Sequence, residues 1–170
     1  MTEPSRSRLV EWQDPMLTAG AAQGRTGLAL LQAIASGGVP QPPISASLGF
    51  KLVFAEEGLA RFQGEPAEYL YNPMAAVHGG WACTLLDSAM GSAVMTILDE
   101  TMAYTTSDLS IHLVRAITMR TGPVIAEGRL VHRGRRVSTA EGRLTDANGK
   151  LLAHGTTTCV IFPRAGGSEG

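Results

Sequence analysis

The stretch NPMAAVHGGWACTLLDSAMG, Asn72 to Gly91, decides how this chain is read. It sets one carboxylate, Asp87, inside an otherwise apolar run that begins at a glycine pair, Gly79-Gly80. From about Gly80 to Leu98 the residues Trp81, Leu85, Leu86, Ala89, Met90, Val94 and Ile97 leave almost no polar side, so the segment predicts a long helix buried on most faces. A transmembrane span is a poor alternative, because the run barely reaches the ~20 residues required and carries an acid near its middle. One narrow stripe differs. Thr84, Asp87, Ser88, Gly91 and Ser92 recur at helical intervals, where a ligand or a second surface can approach.

A buried charge without partners is costly, so Asp87 requires a reason. Bonding to local hydroxyls or backbone groups is one. The glycine pair suggests another. The first N–H groups of a helix lack intrahelical partners and sit at the positive end of its dipole, which suits an anion or an oxygen gaining charge during a reaction. Gly79 and Asp87 are eight residues apart. That is ~12 Å along a helix axis, too far for both to touch one small carbonyl. An antiparallel second copy would bring each helix start to the other's Asp87, and a two-fold dimer does so reciprocally. The expectation is two composite sites per dimer.

Outward from this helix, Met1 to Pro15 is mixed and irregular. Helical spacing runs from about Thr18 to Ser36 and stops at Gly37-Gly38. VPQPPI (Val39–Ile44) reads as an extended connector. Two alternating runs flank a Glu57-Gly58 turn, and AEYLYN is a third, short extended piece. After Glu100 four strand-like runs follow, with the clearest hairpin at Asp146–Gly149, and Ala165–Gly170 is a polar tail. No internal repeat is expected. The fold class is α+β: a long helix wrapped by a mainly antiparallel sheet, with an N-terminal helical extension over 1–43, the main domain over 44–163 and a tail from 164.

The length of 170 residues suits one domain, and a net charge of −1 gives no electrostatic case for nucleic acid or an anionic membrane. Cys83 and Cys159 lie in apolar surroundings and read as small buried hydrophobes in a reducing compartment. No signal-peptide pattern opens the chain, so a cytoplasmic location is the expectation. His112, His132 and His154 fall on separate strands without zinc spacing, and neither a metal nor a cofactor is expected. GRTG (Gly24–Gly27) lacks the Lys-Ser/Thr of a phosphate-binding loop and reads as a plain loop.

NPMAAVHGGWACTLLDSAMGSAV, TTSDLSIHLVRA and GRLVHRGRRVSTAEGRLTDANGKLLAHGTTT together resemble the hotdog-fold acyl-CoA thioesterases. Within these the phenylacetate-pathway branch of aromatic catabolism is the best match, related to the 4-hydroxybenzoyl-CoA thioesterases. The likeness spans about Ile44 to Phe162. It implies that the Gly79 N–H polarises the thioester carbonyl and that Asp87 of the other subunit attacks it or activates a water. It implies that Asn72 positions the water or the acid and that His78 shapes the oxyanion end. Thr106, with Thr105 adjacent, matches a Ser/Thr position near the acid. Gly80, Arg115, Arg133, Gly134, Arg135 and Arg136 are the residues it suggests for coenzyme A. The basic turn His132–Ser138 also reads as a solvated hairpin. The chain departs from the family at Ala75, where most relatives have glycine. The substrate expected is an acyl-CoA, the assembly at least a homodimer and commonly a dimer of dimers. A hydratase-dehydratase of the same fold and a non-catalytic acyl-CoA-binding protein are the rival readings. The hydratases place a histidine differently, and this helix has none after Asp87.

Overall fold

The computed structural model describes residues 5–164, so the expectations for Met1–Pro4 and for the tail after Arg164 lie outside it. Along the chain the helices are α1 (Pro15–Ala21), α2 (Gly27–Ala35), α3 (Pro43–Leu48) and α4 (Gly79–Met95). The strands are β1 (Phe50–Glu56), β2 (Leu59–Gly64), β3 (Met102–Leu113), β4 (Val124–His132), β5 (Val137–Asp146) and β6 (Leu151–Pro163). They form one antiparallel sheet in the order β1-β2-β4-β5-β6-β3. Helix α4 lies on its inner face, chiefly over β4, with β2 and β5 beside it. This is the expected hotdog arrangement. Leu85, Leu86, Ala89, Met90, Ala93 and Val94 are fully enclosed, which is why α4 is apolar nearly all round. Among the described residues no helix is long and apolar enough to cross a membrane.

Four local expectations are corrected. The single helix expected over 18–36 is two. Gly24 takes a left-handed conformation (φ 66°) and the Thr26 hydroxyl caps a new helix by accepting from Ala29 N, so GRTG is loop as far as Thr26 and Gly27 opens α2. The extended connector gives way to α3 at Pro43, since proline suits the first turn of a helix, where its missing N–H leaves no bond unmade. AEYLYN forms a 3-10 turn, Glu68–Leu70, rather than a strand. Helix α4 also ends near Met95 rather than Leu98. The Thr96 hydroxyl donates to Ala93 O and accepts from Gly58 N, and Leu98 O is taken by Gly27 N.

A repeat is in fact present. AEGRL occurs at Ala126–Leu130 and at Ala140–Leu144, and the two copies pair with each other antiparallel. Glu127 then lies opposite Arg143 and Arg129 opposite Glu141, placing opposite charges across the strands. Gly128 lies opposite Gly142, which in turn lies opposite Gly155 on β6. A side chain at Gly128 would enter the backbone of Ala89 and Met90. Gly128 and Gly142, where an added Cβ would meet Ala89, Met90 and Leu86, are the bed in which α4 rests.

The two sheet edges differ. On β1, the Gln41 side chain both accepts from Leu52 N (3.0 Å) and donates to Leu52 O (3.0 Å), and Gln32 Nε2 donates to Ala55 O (3.3 Å). The N-terminal extension thus occupies that edge. At the other end of the sheet, the outer edge of β3 pairs with no described element, and Ser107 to Ser110 are exposed there.

Candidate active site

Asp87 is half-buried on the small-residue stripe of α4, and Thr106 Oγ1 of β3 donates to its Oδ1 at 2.9 Å. Strand alternation turns Thr105 outward and Thr106 inward, which selects Thr106 as the partner. The hydroxyls on the helix itself are engaged elsewhere: Thr84 Oγ1 donates to Gly80 O and Ser88 Oγ to Thr84 O. Among the described residues nothing donates to Asp87 Oδ2, so one oxygen of the acid is open. Tyr104 packs over Gly91 of the same stripe. Burial, with the nearby Cys159 and Asp87, pushes its phenol well above the ordinary range, so it stays a neutral donor. Burial likewise pushes the Cys159 thiol up. Neither group is an available anion.

The start of α4 is built by His78, its cap. The ring Nδ1 accepts from Gly80 N at 2.9 Å, so a neutral imidazole carries its proton on Nε2. His78 O accepts from Trp81 N. The Gly79 N–H is left with no acceptor among the described residues. Of the glycine pair, then, Gly80 is satisfied within the chain and Gly79 is the open donor. A cavity of about 260 Å³ lies there, walled by Asn72, His78, Gly79, Leu113 and Arg115. Asn72 Oδ1 accepts from Met74 N (2.9 Å) and Ala76 N (3.3 Å), so its carbonyl fastens the loop before His78 and its amide NH2 remains to meet a ligand.

Ala75 in that loop has φ 57°, the one positive φ of a non-glycine among the described residues. A left-handed alanine costs about 1–2 kcal/mol, partly offset by the extra freedom glycine loses on folding, about 0.5–1 kcal/mol. Ala75→Gly should therefore stabilise the protein by about 0.5–1 kcal/mol and raise its melting temperature by about 1–4 °C in a calorimetric scan. A lower melting temperature would contradict the strain.

Within one chain the acid pair (Asp87, Thr106) and the donor group (Asn72, His78, Gly79) stay apart, as the spacing requires. The residues suggested for coenzyme A also divide. Gly80 and Arg115 lie at the start of α4. The Arg133–Arg136 turn lies beyond its other end, around a cavity of about 480 Å³ that also includes Leu98 and Asp99. Arg133 there donates to Ile97 O (3.4 Å) and sits 3.6 Å from Glu57, and Gly134 N donates to Ser138 Oγ. His112 and His154 stack as a cross-strand pair, centroids 5.0 Å apart. Among the described residues no group of three or more His, Cys, Asp or Glu is placed to hold a metal. Trp81 and Met90 are core residues.

Comparison with known proteins bears on the fold and on the family the chain is similar to. The family model described as the thioesterase superfamily matches residues 74–153. A 1,4-dihydroxy-2-naphthoyl-CoA hydrolase of Listeria monocytogenes is 27 % identical over 120 residues, covering 69 % of this chain and 94 % of the hydrolase. A phenylacetic acid degradation-related protein of Ralstonia eutropha superposes with TM-score 0.69 at 26 % identity, covering 76 % of this chain and 98 % of that one. A Haemophilus influenzae thioesterase shares the fold, with TM-score 0.65 at 18 % identity over 71 % of this chain and 82 % of that one. The chain therefore has the hotdog fold, and its residues 74–153 match the thioesterase superfamily model.

Proposed function

We propose that this protein hydrolyses acyl-CoA thioesters at two composite sites of an antiparallel dimer, each made of Asp87 and Thr106 with the partner's Gly79, Asn72 and His78. One observation carries the reading: the same helix holds a half-buried acid with one open oxygen and, two turns earlier, a free N–H at its positive end. The bare edge of β3, opposite an edge already covered by Gln41 and Gln32, supports pairing of two copies along it. Outward-facing Val137, Val160 and Phe162 on the sheet offer a face for a dimer of dimers.

The chemistry follows from these groups. The Gly79 N–H holds the carbonyl oxygen as it gains charge. Asp87 either attacks the carbonyl carbon, expelling the CoA thiolate and leaving an anhydride that water cleaves, or removes a proton from a water that attacks in its place. Both courses consume one water and yield free acid and CoA thiol, with no further reactant needed. One relative is named a 1,4-dihydroxy-2-naphthoyl-CoA hydrolase and one similar structure is named as related to phenylacetic acid degradation, so aryl-CoA thioesters of the phenylacetate-pathway type are the first substrates to test.

Sharing of the site is tested by mixing subunits. His78 has φ −60° and ψ 134°, a conformation allowed before proline, and Gly79 is the first residue of the helix. Gly79→Pro thus removes the N–H while keeping the helix, at the cost of displacing the end of the Leu113 side chain, which an added Cβ would meet. Homodimers of Asp87→Asn and of Gly79→Pro should both be inactive, and the purified heterodimer should recover about half of wild-type thiol release, since one of its two sites is intact. An inactive heterodimer would rule out sharing.

A further inference from the structure

The cavity at the start of α4 does not end at Arg115. Its wall of Val114, Arg115 and Ala116 is shared with a second, more polar groove of about 600 Å³. That groove lies between the 3-10 turn Met119–Thr121 and the β5–β6 hairpin. Three cations line it, Arg115, Arg120 and Lys150, against one carboxylate, Asp146. Asp146 is engaged in shaping the hairpin, where Oδ1 accepts from both Asn148 N and Lys150 N at 2.9 Å. Arg115 Nε donates to Leu151 O, which fixes the side chain and leaves its terminal nitrogens to a ligand. Arg120 and Lys150 are exposed, and neither side chain has a partner among the described residues.

The cavity at the opposite end of α4 has two cations on its wall, Arg133 and Arg135, against three in the groove. Of these two, Arg133 is already shared between Glu57 and Ile97 O. The cavity there also includes Asp99, whose carboxyl a hydrogen bond from Thr101 holds below the usual carboxylate range, so it remains an anion beside any phosphate.

We infer that the Arg115–Arg120–Lys150 groove binds the phosphate groups at the nucleotide end of the substrate, while the thioester reaches the Gly79 N–H in the adjoining cavity. A molecule long enough to fill both compartments must be anionic at one end and carry a carbonyl at the other. The inference rests on the acyl-CoA reading above. It moves the phosphate grip away from the Arg133–Arg136 turn and adds Arg120 and Lys150, which lie on separate loops that only the fold brings together. Charge-assisted bonds from guanidinium and ammonium groups supply the binding, and added salt weakens them.

The test compares one acyl group on two carriers, coenzyme A and pantetheine, the latter lacking the nucleotide phosphates. Wild type should prefer acyl-CoA in kcat/KM. In the Arg120→Ala/Lys150→Ala double variant that preference should fall about tenfold or more, through KM, since two exposed charge-assisted contacts to phosphate are lost. An unchanged preference overturns the assignment. So does an equal loss on both carriers, which would mean general damage, or a fall seen only in Arg135→Ala/Arg136→Ala. Should wild type release no thiol from either carrier, the hydrolase reading fails instead. Calorimetric titration with coenzyme A then reads the groove alone: binding lost in the double variant supports it, and equal binding overturns it.

Discussion

Asp87→Asn lowers kcat for thioester hydrolysis by about 10³-fold and leaves the fold intact by circular dichroism. The size follows from what a positioned carboxylate contributes as base or nucleophile, about 10²–10⁴-fold. The intact fold follows from the geometry. Asparagine has the same shape, and its carbonyl oxygen still accepts from Thr106 Oγ1, the one hydrogen bond that ties the acid to β3. What disappears is the charge on the open oxygen. An amide neither attacks a carbonyl carbon nor takes a proton from water. Removing a half-buried charge is not itself destabilising, because the group no longer has to be held out of water. KM should change little if Asp87 acts mainly in the transition state. Retained turnover would move the chemistry to another residue, and among nearby groups neither Tyr104 nor Cys159 is a ready anion, since burial holds both protonated. Turnover in H₂¹⁸O adds a second reading: label recovered in the Asp87 carboxylate of the digested enzyme marks the covalent course.

The parts of this site that were legible in sequence are those that short-range chemistry determines. An acid in an apolar helix, a glycine pair at a helix start and an interval of eight between them need no tertiary information. The interval alone led to the proposal that the site is divided between chains. The choice between Thr105 and Thr106 needed the fold, because one residue of register turns the side chain to the other face. Gly24 and Thr26 were local signals for a helix break, outweighed by the apolar spacing on either side. The paired AEGRL segments carried the β4–β5 register in plain view, through complementary charges flanking a shared glycine. The Gln41 amide on the β1 edge and the meeting of Arg115, Arg120 and Lys150 were not legible, since each joins segments far apart along the chain.

Gly128→Ala should strongly destabilise the protein. The added methyl would enter the carbonyl of Ala89 and approach within 2.6 Å of Met90 N, both backbone atoms of α4. A backbone cannot rotate out of the way as a side chain does, so the helix must lift from the sheet. Overpacking of this kind costs about 3 kcal/mol or more, a fall of about 6–12 °C in melting temperature for a chain of this size. Gly142→Ala is the control. It adds the same methyl one strand away, at the position that pairs with Gly128, but meets the flexible Met90 side chain, Cγ at 2.8 Å and Sδ at 2.9 Å. Methionine has three rotatable bonds and can yield, so the loss there should be about 1 kcal/mol. The two variants have the same composition and differ only in what the methyl strikes. Activity should separate them further, because Asp87 lies on the turn of α4 that Gly128 supports. A lift of that turn pulls the acid from Thr106, and misplacement near 1 Å costs about 10²-fold in rate. If Gly128→Ala melts and turns over as Gly142→Ala does, α4 is not seated on these glycines, and the position of Asp87 must be held from elsewhere.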